Sequence, residues 1–536
     1  MGAPADDDSE SMSSTDQGST TTASSGTPLE IWSPVTGECE DVREPSSTEA
    51  IPELVERARH AQESWSGQSF KARAAVLNAV VDRLADETEE IAEHIRYFNG
   101  KTTTEAILAE VFPTLATFRY FAKVAHKHLR PKTIKLSSLP FAHSKLHRDP
   151  LGVVGVIAPW NYPFKLMLQD VPAALMAGNA VIIKVSEHST AIGERAQKLL
   201  EDAGVPDNLV QFIYGYGDLG AALIAGGIDK ICFTGSTATG RKVYEAAARA
   251  MIPCGLELGG KDAAIVLDDA DLDDAARGVM WAAFANCGQT CASVELVYVP
   301  RDMGTLLVDK LRVLIEKLPE GSVGTMNAAF QKDRVQAQLD EAYAQGAQMI
   351  AESPQGDTEH PFRLNPVLLV DVSKNCELYR EETFGPVLPV FGYSDLEEVI
   401  EEVNGSPYGL TTSIWTKDRS RGEQLARRID SGAVTINEHM ITPGMPEAPW
   451  GGHKLSGLGS SMSHLALHGF SKVKYVFHDR GLVKYKFWRY PFTADKARWI
   501  RSFLSAEFGK TIGEKIGGMI KAMPRLLTKR NPRYEE

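Results

Sequence analysis

The sequence predicts an α/β protein made of two doubly wound, Rossmann-like α/β domains and a small antiparallel oligomerisation flap. Two alternations and the length carry that prediction. From Leu151, the short apolar runs GVVGVIAP, NAVIIKV, NLVQFIYG and KICFTG alternate with helix-length segments such as Ser189–Ala203, the pattern of a parallel sheet with crossover helices. A second alternation starts near Lys261 with AAIVL and runs through a helix over Asp271–Asn286, where Leu272, Ala276, Val279, Met280 and Phe284 share a face. A chain of 536 residues also exceeds the ~250 to 300 at which one hydrophobic core stops growing.

In chain order, residues 1–29 read as a disordered acidic tail. They lack an apolar targeting core, and Asp6 stands where a myristoylation signal needs Ser or Thr. Order begins near Ile31. Residues 30–137 and 151–256 form the first α/β domain, opened by helices over Glu53–Asn99 whose Val76, Leu77, Val80, Val81 and Leu84 recur at three-to-four spacing. Residues 257–450 form the second α/β domain. Residues 138–150 and 468–480 pair as the flap, since FSKVKYVF alternates as a strand does. Flaps of this kind serve assembly, so a homodimer or homotetramer is expected. Residues 481–536 are a basic, aromatic C-terminal extension.

The composition narrows the function. Hydrophobic residues at 43% and charged residues at 24% are average for a globular protein, which excludes a wholly disordered chain. No run approaches the ~18 apolar residues of a membrane span. A net charge of −13 repels phosphates, so no nucleic-acid partner is expected. Six cysteines without a C-x-x-C pair point to a reducing cytoplasm and to no structural metal.

Three segments carry candidate chemistry. FANCGQTC puts Cys291 just beyond an apolar helix in a glycine-containing turn, where a polar, partly exposed setting can lower a thiol's pKa and supply a nucleophile. LELGGK puts Glu257 at a strand end, suited to general-base work. APWNYPF holds the Asn161 amide between Pro159 and Pro163, rigid enough to donate to an oxyanion. Singly, each is also what a buried cysteine, a solvated glutamate or a turn asparagine looks like.

Taken together with IIKVSE, FTGSTATG, EETFGPV and PWGGHKLSGLG, these motifs resemble the NAD(P)-dependent aldehyde dehydrogenase superfamily over roughly Ile31–Asp479. The resemblance implies that Cys291 forms a thiohemiacetal and then a thioester, that Asn161 and the Cys291 N–H hold the oxyanion, and that Glu257 activates the hydrolytic water. It also implies that residues 30–137 and 151–256 are the NAD-binding domain and 257–450 the catalytic domain, and that Trp160, Lys184, Glu187, Gly235, Ser236, Glu382 and Phe384 bind the cofactor. Lys184 and Glu187 would meet the adenine ribose, Gly235 and Ser236 the pyrophosphate, and Glu382 and Phe384 the nicotinamide ribose and ring. Glu187 would accept from a 2′-hydroxyl and repel a 2′-phosphate, so NAD is expected and NADP disfavoured. Cys287 lies outside the motif and is expected to pack. Two departures stand out: Val185 replaces the usual proline, and Leu296 replaces an arginine, to be compensated by packing or by lost activity.

The loop Glu438–Trp450, EHMITPGMPEAPW, contains no Arg or Lys. A hydrophobic aldehyde, aliphatic or aromatic, is therefore the expected substrate; alternatively Met440, Ile441 and Met445 pack on a neighbouring subunit. The extension carries thirteen Lys or Arg against five Asp or Glu, interleaved with aromatics. It fits peripheral contact with an anionic membrane, or docking on the acidic body of its own oligomer. Ile500, Leu504, Phe508, Ile512, Ile516 and Ile520 recur every four residues, so one straight helix would turn the stripe ~40° per step. Two helices broken near Gly509 or Gly513 are expected instead. The rival functions are a coenzyme A-acylating aldehyde dehydrogenase, against which Glu257 argues, and a catalytically silent homologue serving as a binding or structural protein.

Overall fold

The computed structural model describes residues 26–136, 142–357, 359–479, 481, 486 and 488–528, with side chains to Ala522. Most of the acidic tail and residues 138–141 of the expected flap lie outside the described residues. Two compact units emerge, one of residues 1–125 and 151–470, the other of 126–150 and 471–536.

The first unit holds two large sheets. One has six strands in the order Gly457–Leu458, Cys254–Glu257, Lys230–Thr234, Val153–Ile157, Ala180–Val185 and Val210–Tyr214. All pair in parallel except Gly457–Leu458, which runs antiparallel to Cys254–Glu257. Every residue of Ala180–Val185 is buried, as a strand covered by helices on both faces requires. The chain winds from Val153–Ile157 outward through Ala180–Val185 to Val210–Tyr214, then returns to the other side at Lys230–Thr234. The winding therefore reverses between Val153–Ile157 and Lys230–Thr234, and the crevice at the carboxyl ends there is where such sheets bind ligands.

The other sheet has seven strands, in the order Gln348–Glu352, Val367–Val370, Val387–Tyr393, Val294–Pro300, Asp262–Val266, Thr411–Trp415 and Ala433–Ile436. Only the Gln348–Glu352 edge is antiparallel. Both alternations in the sequence thus become mostly parallel sheets. Helices Ile51–Ser66, Phe70–Asp86 and Thr88–Asn99 fill the N-terminal layer, burying Leu77, Val80, Val81 and Leu84.

In the second unit, Ser471–His478 pairs antiparallel with His143–Pro150, which pairs in turn with Lys132–Ile134. The extension folds into two helices, Ala494–Phe508 and Ile512–Thr528, broken at Gly509–Thr511. Trp499 packs against Ala522 and donates from Nε1 to its carbonyl at 3.0 Å. Gly518 is required at this crossing, because a Cβ there would stand 2.3 Å from Ala506 N.

Candidate active site

The predicted residues of the six-stranded sheet gather at the carboxyl ends of its parallel strands. Trp160 and Asn161 follow Val153–Ile157; Lys184 ends Ala180–Val185 with Glu187 just beyond; Gly235 and Ser236 follow Lys230–Thr234; Glu257 closes its own strand. Gly235 N–H donates to the Glu257 carbonyl at 3.0 Å, tying two of these ends together.

Cys291 arrives by a different route. Asp271 caps the helix Leu272–Phe284 by accepting from Asp273 and Asp274 N–H, and the chain then makes a tight left-handed passage. Asn286 and Cys287 have φ of 54° and Gly288 of 70°. Gly288 lies so close to the Glu381–Val387 segment that a Cβ would meet Gly385 O at 2.1 Å. Two non-glycine residues at positive φ are costly, and side-chain hydrogen bonds hold the passage in place. Asn286 N–H donates to Glu105 Oε1 at 2.7 Å, and Asn286 Nδ2 donates to Asn161 O at 2.9 Å.

The same bonds bring Asn161 to the cysteine loop. Its Nδ2 donates to Gln289 O at 3.0 Å, and the neighbouring Tyr162 hydroxyl bonds Thr290 Oγ1 at 2.8 Å. Beneath this junction lies a fully buried ion pair between Lys101 and Glu110. Lys101 Nζ also donates to Asn161 O at 2.9 Å, while Glu110 Oε2 accepts from Phe164 N–H at 2.8 Å and Lys165 N–H at 3.1 Å. The pair therefore fixes the backbone on both sides of Tyr162.

The electrostatics differ from the expectation of a partly exposed, acidified thiol. Cys291 is half-buried, and burial pushes its thiol up to about 12, with Glu257, Glu382 and Asp262 adding to the shift. Lack of water around the anion and nearby carboxylates outweigh the polarity of the turn. Glu257 is pushed up to about 8, first by burial, and Lys165 opposes the shift. Its Oε2 is buried with no hydrogen-bond partner among the described residues. Burial drives Lys165 down to about 8, opposed by Cys291 and then Glu257. Cys287 is fully buried and packs in the core, as expected.

On the cofactor side, Lys184 Nζ lies 3.3 Å from Glu187 Oε2. Ser236 caps the helix Thr237–Ala250, its Oγ accepting from Thr239 N–H at 3.3 Å, and leaves the first turn's N–H groups at the strand end. Glu382 Oε1 accepts from Gly260 N–H at 3.1 Å, and its carboxylate lies where a Cβ on Gly259 would be 2.4 Å from Oε2. Phe384 has φ of 54° and meets Trp160 edge to face at 5.5 Å. A buried Lys261–Glu295 pair braces this segment, with Glu295 accepting from Thr383 and Phe384 N–H, each at 3.0 Å. Leu296, next in sequence, is buried among Ile265, Tyr298, Val399, Ile400 and Ile414, so apolar packing occupies the place of the absent guanidinium.

Several residues of this site escape a reading by motif. Lys165 follows Asn161 by four in PWNYPFK, a spacing that could have flagged it; it hydrogen-bonds Gln169, which reaches Ser461 Oγ at 3.0 Å. Glu105 shows locally only as the glutamate of a capping box with Thr102, and Glu110 carries no local signal. His439, buried near Ala292, is held neutral by burial, which pushes it down to about 4.

A cysteine whose thiol feels the charge of a strand-end glutamate, beside two Rossmann-like sheets, agrees with a family match: the sequence model of the aldehyde dehydrogenase family spans residues 20–476. The chain belongs to the aldehyde dehydrogenase family. It is accordingly an oxidoreductase. It is 38% identical over 471 residues to the 4,4'-diapolycopene aldehyde oxidase of a Methylomonas species, covering 86% of this chain and 87% of that protein. Among solved structures, an aldehyde dehydrogenase from Bacillus cereus in complex with NAD+ superposes with a TM-score of 0.80 at 32% identity, over 84% of this chain and 93% of the other. An NADP-dependent enzyme of E. coli superposes with the same TM-score at 27% identity, over 84% and 95%. In this aldehyde dehydrogenase the fold class and family expected from the motifs both hold.

Proposed function

We propose that this aldehyde dehydrogenase oxidises a hydrophobic aldehyde, aliphatic or aromatic, to the carboxylic acid with NAD, working as a cytoplasmic homo-oligomer. The observation that carries this reading is the setting of Cys291. It packs against an apolar cluster of Ala292, Leu410, Trp450 and Met462, joined by Met440 from the late loop.

In this mechanism the Cys291 thiol gives up its proton and attacks the aldehyde carbonyl. That proton passes to solvent, which reaches the partly exposed thiol. The resulting oxyanion is held by the remaining N–H of the Asn161 amide, whose other N–H is committed to Gln289, and by the Cys291 backbone N–H. Bound NAD would supply the hydride acceptor that this oxidation requires, and the product held on Cys291 would be a thioester. Glu257 Oε2, buried and without a partner, then takes a proton from the water that cleaves the thioester.

The cofactor fit rests on the crevice. Lys184 and Glu187 suit the adenine ribose, Gly235 and Ser236 sit at a helix N-terminus suited to pyrophosphate, and Glu382, Phe384 and Trp160 suit the nicotinamide ribose and ring. The exposed strand Ser471–His478, with Val473, Tyr475, Val476 and Phe477 open to solvent, supports assembly through the flap. The basic extension adds peripheral contact with an anionic membrane to this reading.

The test is NADH formation with straight-chain aldehydes of increasing length, with and without coenzyme A. Specificity should rise about three- to four-fold per added methylene until the pocket is filled, with no requirement for coenzyme A. A flat series, or a strict need for coenzyme A, would overturn the proposal.

A further inference from the structure

Building on the proposed membrane contact, we infer that the helical pair Ala494–Phe508 and Ile512–Thr528 is the lipid-binding surface, lying along an anionic bilayer rather than crossing it. The inner faces of the pair are already used. Trp499 and Phe503 on the first helix pack toward Ala522 on the second, and Gly518 brings the backbones together. What remains outward is apolar: Leu504 and Phe508 on one helix, and Ile512, Ile516, Met519 and Ile520 on the other. Phe508, Ile512 and Ile520 are 70%, 79% and 66% exposed. At ~100° per residue, each set forms one stripe, turned ~100° or more from the inner face. Exposed apolar side chains gathered in this way mark an interaction surface.

Charge identifies the occupant. Arg501, Lys510, Lys515 and Lys521 are exposed beside the stripes. Of the nearby acids, Glu514 is drawn into the turn, where its Oε2 accepts from Lys510 N–H at 2.8 Å. A second copy of the pair would bring cations against cations, and an acidic protein surface would answer the charges alone. A bilayer containing phosphatidylserine answers both, with phosphates for the basic fringe and an acyl boundary for the stripes. Among the described residues no helix is long and apolar enough to cross a membrane, and helices of 15 and 17 residues suit the plane of the interface.

The test is co-sedimentation of the full-length protein with phosphatidylcholine vesicles, with or without roughly one-third phosphatidylserine, at low and high salt. The parent should pellet with the anionic vesicles at low salt and be released at high salt. A Lys510→Gln, Lys515→Gln, Lys521→Gln variant and a Phe508→Ser, Ile512→Ser variant should each lose about tenfold or more in partitioning. All five positions are exposed, and unchanged helical circular dichroism would show that the pair stays folded. A parent that stays in the supernatant, or variants that pellet like it, would overturn the inference. So would a smaller particle mass by light scattering for the Phe508→Ser, Ile512→Ser variant without vesicles, because the stripes would then cover another subunit. Oxidation of a short, water-soluble aldehyde without vesicles should have the same kcat/KM in all three proteins. Its absence in the parent would count against the dehydrogenase reading and leave the sedimentation result standing.

Discussion

Two kinds of carboxylate stand within this site, and they differ in how completely they are satisfied. Glu110 and Glu295 are each paired with a buried lysine, and each accepts backbone N–H groups besides. Among the described residues Glu257 makes no ion pair, and one of its oxygens is buried with no hydrogen-bond partner. Glu187 stays a third exposed, 3.3 Å from a lysine. A carboxylate with every lone pair engaged fixes backbone and has nothing left for a ligand; one with capacity to spare can bind water or a ribose. The bracing pairs hold the loops, and the under-satisfied groups are left for chemistry.

The largest effect should come from the nucleophile. Cys291→Ala should reduce NADH formation below a few per cent of the parent while NAD binding, followed by fluorescence titration, stays near normal, because the thiol acts after the cofactor docks. Activity well above that level would take Cys291 out of the role. Next comes Glu257→Gln, which should slow thioester hydrolysis ~100- to 10,000-fold yet preserve a rapid first burst of NADH. The parent has a pH dependence with a definite sign. Glu257 is pushed up to about 8, so the base form is lost as pH falls through that value and the steady-state rate should fall with it. The variant should lack that limb; a variant with the parent's profile would assign the limb to another group, Lys165 first.

Breaking a brace should act on stability before chemistry. Glu110→Ala strands the Lys101 ammonium in a site with no solvent exposure and frees the Phe164 and Lys165 N–H groups. A loss of ~3 to 5 kcal/mol is expected, since a buried charge without its partner is far costlier than the pair is favourable. Glu110→Gln should lose less, because an amide oxygen can still accept from the backbone. Denaturant unfolding of the NAD-free protein measures both, and a loss below ~1 kcal/mol in the alanine variant would contradict the bracing account.

The same contrast explains what the sequence made legible. Asn161 and Glu257 lie at or just after strand ends and Cys291 just after a helix end, and alternation and periodicity report such ends directly. The break in the extension was legible too, since a strict four-residue repeat cannot keep one face on a straight helix. Glu105 and Glu110 were not: Glu105 bonds Asn286 across 181 residues of chain, a contact that no local pattern encodes. The thiol's state was misread for a related reason. Cys291's burial is set by Trp450, Met462 and Leu410, which are distant in sequence, and that burial raises a pKa that the turn alone would lower. Leu296 was legible as a departure, but its resolution by packing depended on Val399, Ile400 and Ile414 from other elements.

The smallest effect should be at Glu187, where capacity to spare becomes selectivity. Its carboxylate is drawn low by Lys184 and His188 although burial opposes this, so it is an anion at neutral pH. A free 2′-hydroxyl can donate to it, whereas a 2′-phosphate sets two anions together, and Lys184 can offset only part of that repulsion because it already faces Glu187. A preference for NAD of ~5- to 150-fold in kcat/KM follows, equivalent to ~1 to 3 kcal/mol across a partly exposed contact. Glu187→Ser should narrow the gap chiefly by improving NADP, because Lys184 is released to meet the phosphate, while NAD loses one hydrogen bond. Equal kcat/KM for the two cofactors in the parent would place Glu187 with the bracing carboxylates instead.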